Sequence, residues 1–169
     1  MHIKDKNTFS CLFLFFRRIR EVRTLLKLMD YTRIFTDILT WDHYLVLATV
    51  DDEWNPWTAP LAYVWDGGRS LYYISHTGSV HSKNIETNPK IGFSIFHTDQ
   101  IPGNAFWVQW SGIAERVSEE TVPRELQEKL QKLVSLVILQ REHSFYRIDI
   151  VDAFLPDATR WKTDGKLKT

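Results

Sequence analysis

The chain has 169 residues, enough to bury a substantial core in one domain, and its 21 basic residues balance its 21 acidic ones. With no excess of positive charge and no basic stripe, nucleic-acid binding is disfavoured. A single cysteine, Cys11, excludes an internal disulfide and a multi-cysteine metal site, and suits a reducing, cytoplasmic setting.

Residues 1–28 differ from the remainder. They hold seven basic residues against Asp5 and Glu21, which leaves residues 29–169 with a net charge of about −5, ordinary for a soluble domain. The apolar run from Cys11 to Phe16 is far shorter than the roughly 20 residues a membrane helix needs, and it has no small-residue cleavage site. A basic amphipathic helix, an additional structural helix, or sequence ahead of a start at Met29 all fit. The last is favoured, so residues 1–28 are expected to be an extension and 29–169 the working domain.

From residue 30 onward the pattern alternates between short strands and a few helices. Ile34, Phe35, Ile38 and Leu39 recur at helical spacing and predict a helix over 31–41. Strands follow over 43–50, 57–65 and 71–75, separated by the turn-rich Asp51–Pro56 and Asp66-Gly67-Gly68. Gly78–Asn88 reads as a short helix closed ahead of Pro89. Two strands, 90–97 and 105–117, precede a long helix over 119–139, with Pro123 in its first turn and Val122, Leu126, Leu130, Leu133 and Val137 as its apolar stripe. A final strand covers 145–151, and the tail beyond it is polar. An aromatic share of 14%, high in strand-forming Trp, Tyr and Phe, fits this mainly β assignment and a self-associating protein. A barrel or sandwich with flanking helices is therefore expected.

The usual catalytic signatures are missing: there is no glycine-rich phosphate loop, no helical histidine pair with a carboxylate for a metal, and no nucleophile elbow. One segment stands out, Ser75-His76-Thr77-Gly78-Ser79-Val80-His81-Ser82-Lys83-Asn84. It puts hydroxyls where a strand ends and a helix begins, and the unpaired N–H groups and dipole of a helix N-terminus favour an anion such as phosphate. Ser75 and Ser79 can donate to phosphate oxygens, while His81 and Lys83 can add charge. On residue types alone, such a segment is more often a Ser79-capped helix with His81 and Lys83 in solvent.

The order of several pieces changes the weighting. Leu45–Asp51, Pro56–Leu61, Leu71–Ser75, Ser79–Ile85, Asn88-Pro89 and Trp110–Ala114 together resemble the pyridoxamine 5′-phosphate oxidase-related FMN-binding split barrels, over roughly residues 31–117. The resemblance implies a six-stranded antiparallel split β-barrel and a homodimer with FMN bound between subunits. It carries the phosphate-binding stretch onto Ser75, Ser79 and His81, with Lys83 and Asn84 beside them. The strand along the flavin ring falls on Trp57, Thr58, Ala59, Pro60 and Leu61, and Gln109 lies on a strand approaching the cofactor from the partner.

The chain also departs from the vitamin-synthesising oxidase. Apolar residues replace a phosphate-binding Arg and Lys, the tail Asp157–Thr163 lacks the substrate-binding histidine motif, and Trp107 stands where a glutamine is usual. A flavin-dependent oxidoreductase of unassigned substrate is the resulting expectation, with no catalytic acid or base identified and no metal. Two alternatives remain open: a haem- or deazaflavin-binding split barrel, with His76 or His97 as an axial haem ligand, and a cofactor-free dimeric interaction protein.

Overall fold

The computed structural model describes residues 32–96, 107–134, 142–155 and 165–167. The segment 1–28 thus lies outside the described residues, as do His97, Val137 and the tail Asp157–Thr163. The chain divides into two units, Met1–Asp37 and Ile38–Thr169. In the first, residues 32–37 are helical, with Thr36 Oγ1 donating to the Thr32 carbonyl (2.9 Å) and Arg33 pairing with Asp37 one turn on. This helix, α1, runs to residue 41. Among the described residues, no helix is long and apolar enough to cross a membrane.

The second unit is built on one antiparallel sheet. Its elements are β1 (Tyr44–Val50), β2 (Pro56–Ala62), β3 (Val64–Trp65), β4 (Ser70–His76), α2 (Val80–Thr87), β5 (Lys90–Phe96), β6 (Trp107–Val117), a 3-10 turn (Glu119–Thr121), α3 (Arg124–Leu133), β7 (His143–Leu155) and β8 (Gly165–Leu167). The strand order is β2-β1-β5-β6-β7-β4-β3, with β8 added against β7. Six of these strands are long, as expected for the split barrel. Two short ones, β3 and β8, bring the total among the described residues to eight.

The run expected as one strand over 57–65 is two, because the chain turns a corner at Tyr63. Ala62 still pairs with Tyr44 of β1, whereas Val64 pairs with Tyr72 of β4. Between them the Tyr63 N–H donates to the His43 carbonyl (3.0 Å), and the side chain is buried. One continuous stretch of chain therefore joins the two ends of the strand order and curls the sheet upon itself.

Period-two alternation directs one set of side chains inward: Leu45 and Leu47 from β1, Leu71 and Tyr73 from β4, Ile91, Phe93 and Ile95 from β5, Val108, Trp110 and Ala114 from β6, and Tyr146 and Ile148 from β7. Phe93 and Trp110, cross-strand partners, stack with centroids 5.1 Å apart. On the other face of β4, Tyr72 and Ile74 pack with Val64, Phe145, Val122, Leu126 and Leu130. Because α3 covers that face, β4 is buried on both sides and reads as a continuous apolar run, Leu71–Ile74. Burying each such side chain contributes roughly 1.5–3 kcal/mol.

The long helix expected over 119–139 begins differently. Ser118 opens a 3-10 turn, Val122 returns to extended backbone (ψ 127°), and Pro123 becomes the N-cap of α3 and not a first-turn residue. Val134 caps α3 at its other end. In β6 a register shift falls between Ser111 and Gly112. Only glycine fits there: a Cβ on Gly112 would lie 2.9 Å from the Asp149 carbonyl oxygen.

Candidate functional site

The end of β4 and the start of α2 form the site. Thr77 and Gly78 make the turn, in which the Gly78 N–H donates to His76 Nδ1 (2.9 Å) and the Ser79 N–H to the His76 carbonyl (3.1 Å). Ser79, with extended backbone (φ −67°, ψ 154°), is the N-cap of α2, its Oγ accepting from the Ser82 N–H. That hydroxyl also donates to Ser82 Oγ (2.8 Å).

His81 closes the cluster. Its Nε2 lies 2.7 Å from Ser75 Oγ and 3.1 Å from Ser79 Oγ, and the two hydroxyl oxygens are 3.4 Å apart. Ser75, His81 and Ser82 are all buried. Burial disfavours the imidazolium and lowers the pKa of His81 below its ordinary value. His81 therefore supplies hydrogen bonding at neutral pH, not the positive charge expected of it. Together the three hydroxyls, one imidazole nitrogen and the N–H groups of the first turn make a polar cluster at the positive end of an eight-residue helix. That donor set suits a phosphate, through hydrogen bonds rather than ion pairs.

The remaining expected residues fall into three groups. Asn84 is buried and points into the barrel, where Nδ2 donates to Thr49 Oγ1 of β1 (3.0 Å), so it anchors α2 instead of joining the serine cluster. Trp57, cross-strand from Thr49, stands next to this anchor and is 47% exposed, whereas Ala59 is buried opposite Leu47. Lys83 is exposed on α2, away from the buried cluster. Thr58 and Pro60 are exposed on the opposite face of β2, and Gln109 is exposed on β6. Pairing places Pro60, Val46, Ser94 and Gln109 in one row across four strands. At about 4.8 Å per strand, Gln109 stands on the order of 14 Å from Pro60.

Sequence reasoning missed Ser82, Thr49 and Tyr73, whose ring centroid is 6.4 Å from that of His81. Thr49 carried a signal: it continues the inward series Leu45, Leu47 with a polar side chain. His76 does not offer a free haem ligand, since Nδ1 accepts from Gly78 and Nε2 pairs with Glu142.

A family model described as pyridoxamine 5′-phosphate oxidase matches residues 35–152, well over half of the chain. The chain belongs to the pyridoxamine 5′-phosphate oxidase family. Solved structures with this fold include a candidate pyridoxamine 5′-phosphate oxidase from Listeria innocua (20% identity, TM-score 0.59, covering 72% of this chain and 94% of that one). The haem storage protein HutZ from Vibrio cholerae is also similar (14%, TM-score 0.60, 72% and 91%), as is an F420 reductase (18%, TM-score 0.55, 69% and 93%). No curated protein matches the sequence. At these identities the likenesses establish the fold alone, and the solved proteins that share it are described as an oxidase, a haem storage protein and an F420 reductase.

Proposed function

We propose that the protein binds FMN and acts as a flavin-dependent oxidoreductase in the form of a cytoplasmic homodimer. The observation that carries this reading is the convergence of Ser75, Ser79 and His81 within hydrogen-bonding distance of one another at the start of α2. Family membership supports a cofactor in the fold, and the donor set favours one that ends in a phosphate. When bound, the flavin supplies hydride and electron transfer.

This chain's residues bind and orient. Ser79, the least buried member of the cluster, turns its hydroxyl to a phosphate oxygen, and the N–H groups of Val80 and His81 add to it. His81 and Ser75 hold Ser79 in position from below. Thr58, exposed on β2, provides a hydroxyl for a ring or ribityl oxygen, and Pro60 adds an apolar contact on the same face, whereas Trp57 and Ala59 lie on the other face of the strand. Gln109 carries both a donor and an acceptor for flavin edge atoms.

The homodimer is supported by a sheet face left open on central strands. On the side opposite the core, Ala48 and Gln109 are exposed and Val46, Gly92, Ser94 and Ser111 half-buried, a row of mostly small side chains across β1, β5 and β6. A second copy seated there would cover them.

The test compares FMN with riboflavin, which shares the ring and lacks the phosphate. FMN is expected to bind much more tightly. Hydrogen bonds to a charged group contribute about 1.5–3 kcal/mol, so Ser79→Ala is expected to weaken FMN by roughly ten-fold or more while leaving riboflavin nearly unchanged. Equal affinity of the parent protein for the two ligands would overturn the reading.

A further inference from the structure

Tyr73 and Tyr146 are directly paired across β4 and β7 and both are wholly buried. Their rings stack with centroids 5.1 Å apart and planes 11° from parallel. Nothing in the packing demands tyrosine there, since the neighbouring inward positions are Leu71 and Ile148, and phenylalanine would fill the same space. Yet each ring carries a hydroxyl into the interior, and neither hydroxyl has a hydrogen-bond partner among the described residues. Burial raises the Tyr73 phenol pKa, and the neighbouring Tyr146 raises it further, so Tyr73 faces the interior as a neutral hydroxyl.

Two unpaired buried hydroxyls in one small domain are costly, and native interiors meet such groups with partners or ordered water. We infer that the Tyr73–Tyr146 pair is a binding site for a single internal water, held between the two hydroxyls inside the barrel. The geometry fits this guest. The ring centroids are 5.1 Å apart, and a water bonded to two hydroxyls at the usual O–H···O distance of about 2.7–2.8 Å bridges up to roughly 5.5 Å. Such a water has a ring-bound donor or acceptor on either side, and it lies on the inner side of the His81 cluster, because Tyr73 and Ser75 alternate on the same face of β4. This inference is independent of whether FMN binds.

Melting of Tyr73→Phe, Tyr146→Phe and the double variant tests the site. With a bridging water, each single variant strands that water on one partner and is expected to lower Tm by several degrees. The double variant is expected to lose less than the sum, because the second hydroxyl then has no water to hold. Without a water, removing an unpaired buried hydroxyl leaves Tm unchanged or raises it, and that outcome in both single variants would overturn the inference. A crystal structure of the parent protein gives a second reading: a density peak within hydrogen-bonding distance of both hydroxyls is expected, and its absence in a well-ordered interior is contrary to it.

Discussion

Ser75 Oγ and His81 Nε2 are 2.7 Å apart, and both side chains are 7% exposed. A strand end and a helix start are thus joined by a short hydrogen bond that water barely reaches. This gives the site a pH dependence of definite sign. In the unfolded chain the imidazole takes its proton near pH 6.5, whereas in the folded chain burial moves protonation to lower pH. Between the two, the unfolded chain binds more protons, so stability falls as pH falls through that window and is fully present above it. The melting temperature of the parent is expected to drop from pH 7.5 to pH 5 by more than that of His81→Gln. Parallel curves for the two proteins would show that His81 is not the group responsible.

The bond from Asn84 to Thr49 ties α2 to β1 from inside the barrel. Asn84→Leu leaves Thr49 Oγ1 buried without its donor, a loss of about 1–3 kcal/mol. For a protein of this size each kcal/mol corresponds to about 2–4 °C in Tm. Adding Thr49→Val removes the stranded hydroxyl, and the double variant is expected to melt above Asn84→Leu alone. A thermal double-mutant cycle checks this directly.

Two glycines look equally crowded and should behave differently. A Cβ on Gly112 meets the Asp149 carbonyl oxygen at 2.9 Å, and a Cβ on Gly78 meets the His76 ring at 2.9 Å. The first obstacle is backbone in the middle of the β6–β7 ladder and the second is the end of a half-exposed side chain. Gly112→Ala is expected to cost about 1–3 kcal/mol, in the range of overpacking, and Gly78→Ala well under half of that. Denaturant midpoints for the two variants measure the difference.

Sedimentation at micromolar concentration is expected to give a dimer, in which the open face of β1, β5 and β6 lies within an interface of the standard size, roughly 800 Å² per partner. Ser94 lies at the centre of that face, between Val46 and Gln109. Ser94→Arg is expected to yield a monomer with an unchanged far-ultraviolet spectrum. A parent protein that sediments only as a monomer would remove the dimer from the proposal.

Much of this architecture is legible in the sequence because period-two alternation and turn residues act locally. The strands over 44–50, 70–76 and 90–96 and the Ser79-capped helix follow from such local chemistry. The corner at Tyr63 does not, because Trp57–Trp65 is apolar apart from Thr58, with no turn residue at the corner, and the change of partner from β1 to β4 is a tertiary event. Val122 leaves the helical region although its side chain belongs to the α3 stripe, so an unbroken apolar period hid the break before Pro123. At the site, the serine and histidine positions were readable from their order along the chain. The burial of His81 was not: it depends on α2 sealing one end of the barrel, which eight residues with little amphipathic pattern do not announce.

The placement of Pro56 and Pro60 has a further consequence. Both are exposed on β2, which among the described residues pairs only with β1 and so ends the strand order, and neither has an N–H to offer a new strand. The opposite end is β3, only two residues long. A sequence this rich in aromatic strands is a hazard for runaway cross-β growth, and here both terminal strands are blunted against it. In the proposed dimer, pairing is thereby steered from strand edges toward the stacking of sheet faces, a contact that closes after two copies instead of propagating.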